Sequence, residues 1–325
     1  MLIRNRWIYG AVSSTAVLLL ILDSKTAFIG AKEGIILCVE SLIPSLFPLL
    51  VFTNIMNSVF IGTEIPFMRP LGQLLGIPQG GESLLILGML GGYPVGAKAI
   101  YDTYESGQIS ANTAKRLLGF CNNAGPAFIF GIVGTMFKSS TIIWAVWGIH
   151  ILSALLTGAL LPGKTKEICC NKKKFNISFS QSLNKSIKTM ASICGWVIIF
   201  RMIIHFLNRW ILYVLPEYIT GCIFGILELT NGCIALRDIP FDGLKLIICS
   251  GLLSFGGLCV YMQTGSVTKE LGTGMYLTGK LIQTCISLIL ACIVVSNYWC
   301  ILFSSILLII GFVFLKRRKK IVVAL

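Results

Sequence analysis

Residues 140–161 read STIIWAVWGIHILSALLTGALL, an unbroken run with no Asp, Glu, Lys or Arg. A helix needs about twenty apolar residues to cross the hydrocarbon core of a bilayer. A barrel strand needs about ten, with side chains alternating in polarity. This run is too long and too uniform for the second pattern. It reads as a membrane-crossing helix, and the rest of the chain follows from that reading.

Composition agrees. Of 325 residues, 55% are hydrophobic and only 12% are charged, against about 25% charged in soluble domains. Mean hydropathy is +0.85. A chain this apolar has too little polar surface to face water, so its solvent is lipid. Lipid admits only helices or closed barrels, because every backbone polar group must be satisfied internally. Further crossings are expected at 7–23, 36–60, 117–137, 187–208, 243–264, 275–296 and 298–315, eight in all with 140–161. The fold expected is an all-α polytopic membrane protein.

Two apolar stretches are interrupted. Residues 84–100 contain Gly91-Gly92-Tyr93-Pro94, and residues 218–236 contain Glu228-Leu229-Thr230-Asn231-Gly232. Glycine and proline at that density break a helix. Broken backbone at membrane depth must be covered by protein or water. Both stretches are therefore expected to enter and leave on one side as re-entrant segments.

The net charge of +14 sits in Arg4 and Arg6, in 164–188 and in 316–320, all flanking apolar runs. Eight crossings from an inside N-terminus place all three clusters in the cytoplasm, as the positive-inside rule requires. No basic stripe stands apart from the membrane segments, so nucleic acid is not an expected partner. Membrane lipid is. Residues 7–22 follow Arg4 and Arg6 like a signal peptide, but no small-x-small cleavage site closes the run, so it is read as a retained helix. The twelve cysteines form no CxxC pair and most lie in apolar runs, where cysteine acts as a small hydrophobe.

The order of segments repeats. Residues 36–161 read span, broken segment, span, span, and residues 187–296 read the same. FCNNAGPAFIFGIVG at 120–134 falls against GLLSFGGLCVYMQTG at 251–265 with two glycines in register. The crossing count makes the halves enter from opposite sides. An inverted pair of repeats with matching discontinuous segments is the signature of secondary transporters. The expected organisation is an N-terminal helix and connection (1–35), a first repeat (36–162), a basic cytoplasmic linker (163–186), a second repeat (187–296), and a C-terminal helix with a basic tail (297–325).

Polar residues inside these segments are the candidate site. Asn122 and Asn123 precede Gly125-Pro126 in mid-span, where a helix break would expose amide donors and acceptors. Glu228, with Thr230 and Asn231, places a carboxylate in an apolar segment, which is expensive unless it is paired or hydrated. It therefore takes a proton, meets a cation, or pairs with Arg201. Tyr93 and Ser254 are expected at the edge of the same cavity. Gln263 is a weaker candidate, and Lys98 is read as either an anion contact or a snorkelling surface lysine. Glu40 reads as solvated near the outer end, and His150 as a packed residue. No catalytic triad, phosphate loop or metal-ligand spacing occurs, so neither an enzyme nor a cofactor or metal site is expected.

SLIPSLFPLLVF (41–52), GMLGGYPVGAKAI (88–100) and ISANTAKRLLGFCNNAGPAFIFGIVG (109–134) resemble the nucleoside-recognition Gate domain. In particular they resemble the sporulation integral membrane protein YlbJ (SpoVV) family, whose second Gate-like repeat is similar to the stretch holding GILELTNGC (225–233). The resemblance covers roughly 36–300. It implies a distant relative of concentrative nucleoside transporters, in a bacterial cell membrane or forespore membrane, and a carrier of dipicolinic acid or a similar small aromatic carboxylate. A nucleoside carrier and a non-transporting sporulation scaffold are the other readings. Nothing in the sequence fixes substrate, coupling ion, direction or a homo-oligomeric state.

Overall fold

The computed structural model describes residues 2–163 and 178–296. The expected span 298–315, the C-terminal basic cluster and most of the basic linker lie outside these residues. Among the described residues every regular element is a helix. Five helical stretches are long and apolar enough to cross a membrane: Ser24–Phe60, Ser140–Leu160, Phe179–Trp210, Asp242–Leu271 and Gly274–Val295. The apolar part of the first helix, Trp7–Leu22, is shorter.

The chain opens with α1 (Leu2–Leu22) and turns at Asp23, whose carboxylate accepts from Thr26 N at 3.3 Å and starts α2 (Ser24–Leu37). α2 runs without a stop into α3 (Ile43–Phe60) through a single π turn at Cys38–Leu42. Pro44 and Pro48 follow this turn, where the helix widens by one residue. Pro44 has no N–H to give to the carbonyl four residues earlier, so the Ile43 N–H reaches back five residues to Cys38.

A short α4 (Arg69–Leu75) leads to the first interrupted pair, α5 (Glu82–Leu90) and α6 (Val95–Glu105). The next pair is α7 (Ala111–Leu118) and α8 (Pro126–Gly131), followed by a 3-10 turn and the long α9 (Ser140–Leu160). The expected crossing 117–137 is thus not one helix. Gly119–Gly125 is not helical: a turn at Gly119 and Phe120 leads into an irregular stretch, and Pro126 begins α8 at a position where its missing N–H does no harm.

The second half repeats this order. It starts with α10 (Phe179–Trp210), capped by a reciprocal Ser178–Gln181 box. The pair α11 (Glu217–Leu227) and α12 (Leu229–Ala235) breaks at Glu228. The pair α13 (Asp242–Phe255) and α14 (Gly257–Thr268) breaks at Gly256, which has φ +84° and favours glycine. The long α15 (Gly274–Val295) closes the half.

Long helices pair across the halves: α2–α3 packs on α10, and α9 packs on α15. Gly30 and Gly34 of α2 admit the α10 backbone, since a Cβ at either would lie 2.8–2.9 Å from the Cα of Met202 or Ile198. Lipid tails are as apolar as leucine, so such close backbone packing and interhelical hydrogen bonds carry association. Large side chains such as Trp7, Phe28, Val39, Phe52, Val59 and Ile199 remain on the outer surface, where lipid would meet them.

Candidate functional site

The interruptions in the two halves face one another across a small central cavity of about 50 Å³. Its walls come from Leu42, Leu46 and Leu49 of the first long helix, and from Ile193 and Val197 of α10. The remaining lining belongs to the breaks: Gly91, Gly92 and Tyr93 before α6, Ala124 and Gly125 before α8, and Glu228, Leu229 and Thr230 at the start of α12. Ala127 and Phe128 of α8 and Val260 and Gln263 of α14 complete it. The breaks before α6 and α8 touch, because a Cβ on Gly125 would lie 2.9 Å from the Gly92 Cα and N.

Of the residues singled out from sequence, Tyr93, Glu228 and Thr230 line this cavity, and so does Gln263. Asn122, Asn123, Asn231 and Ser254 are buried behind the wall. Asn122 accepts from Ala97 N at 3.2 Å and donates to Thr264 Oγ1 at 3.1 Å, joining the α7–α8 link to α6 and α14. Asn123 donates to Phe120 O at 2.7 Å and turns its Oδ1 toward α15. Ser254 is buried and its hydroxyl has no partner among the described residues.

Glu228 is the N-cap of α12. Its carboxylate accepts from Thr230 N at 3.1 Å, from Asn231 N at 2.8 Å and from Asn231 Nδ2 at 2.8 Å. The two backbone donors, Thr230 N and Asn231 N, are among the unpaired N–H groups that every helix start leaves, so Glu228 satisfies a backbone break with a side chain. Arg201, the cation considered for it, is elsewhere. Arg201 Nη2 lies 2.6 Å from Glu33 Oε2, and His205 Nε2 lies 2.9 Å from the same oxygen, both on the α2–α10 face. Pairing with Arg201 is one of three alternatives that the sequence leaves for Glu228, and the packing of α2 on α10 gives Arg201 to Glu33 instead.

Three further residues join the site. Lys280 of α15 is 1% exposed, and its ammonium lies 3.1 Å from Tyr93 Oη, 3.1 Å from Asn123 Oδ1 and 2.7 Å from Gln283 Oε1. Gln283 Nε2 also donates to Asn123 Oδ1 at 3.1 Å. His150 Nε2 accepts from Ala124 N at 3.1 Å, the packed and bonded role read from sequence. The signal for Lys280 was in the chain: a lysine inside 275–296 with Gln283 three residues on, hence on one helix face. Lys98, by contrast, pairs with Asp102 one turn along α6.

A second cavity of about 220 Å³ lies farther along α3 and α6. It is lined by Asn54, Asn57, Asp102, Glu105, Gln108 and Lys185 among others. Asn57 Oδ1 and Gln108 Oε1 are buried there without partners among the described residues. The two cavities are thus successive along α3.

Helices of membrane-crossing length and composition, with discontinuous segments meeting at buried polar groups, define a multi-pass α-helical membrane protein. Among known proteins, the chain is similar to the sporulation integral membrane protein YlbJ of Bacillus subtilis (strain 168). The two are 25% identical over 295 residues, which is 76% of this chain and 71% of that protein. The chain is a homologue of YlbJ, in line with the resemblance drawn from its motifs, and a multi-pass bacterial membrane protein. No family model and no solved structure matches it.

Proposed function

We propose that this chain is a membrane carrier of a small polar solute, a sporulation-linked carrier of dipicolinic acid or a similar small aromatic carboxylate. One observation supports this reading most: interrupted helices from both halves present their ends to one buried cavity between the long helices. Broken backbone is tolerated in a membrane only where it is covered or lines a path, and inverted repeats place solute sites at such breaks. For a carboxylate, helix starts and amide hydrogens would supply the donors, since its oxygens only accept. The sporulation link comes from the similarity to YlbJ.

Small-molecule sites occupy roughly 300–1,000 Å³, and the central cavity of about 50 Å³ holds only a few waters. The carrier is therefore drawn here in a closed form, and α3 or the broken segments must move apart to admit a solute. The larger polar cavity along α3 and α6 would serve as its vestibule. Glu228 would bind a proton or cation that offsets the solute's charge, or hold a donor in place.

The test is uptake of labelled dipicolinate by proteoliposomes holding the full chain. Saturable uptake above empty vesicles is expected, and Glu228→Gln, which keeps the shape and removes the charge, should alter its pH dependence. Uptake of labelled uridine instead would make this a nucleoside carrier. Uptake of neither by well-folded protein would leave a scaffold role in its place.

A further inference from the structure

Lys280 is buried, and no ion pair holds its side chain among the described residues. Tyr93 gives its own hydrogen to Leu253 O at 3.0 Å, so its oxygen can only accept from Lys280. Asn123 is oriented by its donation to Phe120 O, and Gln283 by its donation to Asn123, so both present oxygen to the lysine. Lys280 thus faces three acceptors. An ammonium has three hydrogens for them, whereas a neutral amine has two and would leave one acceptor unmatched.

No carboxylate forms an ion pair with this ammonium among the described residues. Its other neighbours are the rings of Tyr93 and Tyr276, with centroids at 5.0 Å and 5.8 Å. A buried charge bonded only to neutral groups keeps most of its field, because no paired opposite charge cancels it and burial shields it from bulk solvent. Tyr93 is the wall between that charge and the central cavity, since it both touches Lys280 and lines the cavity. Glu228 lies on the cavity lining as well, with its carboxylate held by three donors. With Lys280 as an ammonium and Glu228 as a carboxylate, the cavity would be polarised, positive behind Tyr93 and negative at Glu228.

We propose that Lys280 is the specificity-determining cation of this site, selecting solutes that turn a carboxylate toward Tyr93 and an uncharged or hydrogen-donating end toward Glu228. The inference rests on the carrier reading. It differs from that reading in naming which residue sets the preference for an anion and which way the solute lies.

The test compares two probes of one shape: pyridine-2,6-dicarboxylate and its uncharged diamide, as uptake by proteoliposomes of the full chain. Wild type should favour the dicarboxylate. Lys280→Met removes the cation. Gln283→Glu keeps it but sets a carboxylate against it in the place of the Gln283 amide, and so cancels its field while preserving packing. Both variants should lower the dicarboxylate-to-diamide ratio about tenfold or more, through loss of the anion and not of the diamide. A merely structural role would depress both probes together. If Lys280→Met does not fold, Gln283→Glu decides alone. A folded Gln283→Glu protein whose ratio stays within about twofold of wild type overturns the inference. So does a wild type that carries both probes without preference, while the carrier reading stands. A wild type that carries neither removes the carrier reading, and the inference falls with it.

Discussion

The breaks in the two halves are held by different means. In the first half, the link Gly119–Gly125 is fastened from outside: Asn122 to Thr264, Asn123 to Lys280 and Gln283, Ala124 to His150. The neighbouring break at Tyr93 is tied to Leu253 and Lys280. In the second half, the Glu228 carboxylate is fastened, among the described residues, to Thr230 and Asn231, its own near neighbours. Both solutions satisfy orphaned backbone, but they have opposite mechanical consequences. A break bolted to three other helices moves only if they move. A break that caps itself can travel as a unit without abandoning a buried polar group. The pair α11–α12 is therefore the part of the cavity wall expected to open.

The most severe way to break the comparison is Gly88→Ala. A Cβ there would run into the Cys121 carbonyl, displacing the link that carries Asn122 and Asn123. A backbone clash of this kind costs about 3 kcal/mol or more. Loss of monodisperse protein in detergent is expected, while Gly131→Ala, with open space around it, should behave as wild type.

Asn123→Ala comes next. It strips an acceptor from a buried ammonium and from Gln283, with an expected loss of about 3 kcal/mol. A large fall in the thermal midpoint would show it. Asn231→Ala in the second half removes one donor from a carboxylate that keeps two others, and about 1 kcal/mol is expected. Equal midpoint losses for the two asparagines would erase the distinction between the halves.

The third test is Glu228→Ala, a lost N-cap worth about 1–2 kcal/mol. Because the cap is local, faster hydrogen exchange should be confined to 229–235 and leave 119–125 unchanged. Finally, in the unaltered protein, amides of 229–235 should already exchange faster than those of 119–125, the smallest of these effects.

Much of this contrast was legible in the sequence, but not all. The all-helical class, the long apolar helices and the breaks at Tyr93-Pro94 and near Glu228 follow from local composition, since glycine, proline and run length act on their own neighbourhood. Asn-Asn-Ala-Gly-Pro announced a break at 122–126, yet the span 117–137 concealed how far it extends. Gly256 inside an apolar run carried no such warning. The fasteners were the hardest to read. Lys280 meets residues 157 and 187 positions away, and Arg201 meets Glu33 at a separation of 168. Pairings of that range are set by which helices pack together, and no periodicity within a single segment encodes them.

The continuous helix Ser24–Phe60 has a consequence for the bilayer itself. At 1.5 Å per residue its 37 residues extend about 55 Å, and its partner α10, with 32, about 48 Å. The hydrocarbon core is about 30 Å thick, and each helix holds an 18-residue stretch of high mean hydropathy. Where its apolar length exceeds that core, a pair this long leans away from the membrane normal or gathers thicker lipid around it. Because the two are packed along their length, they would lean together, as one oblique strut. A bilayer of longer acyl chains would let the strut stand more upright, and membrane thickness thus becomes a mechanical input to the angle at which the cavity wall on α3 and α10 is held.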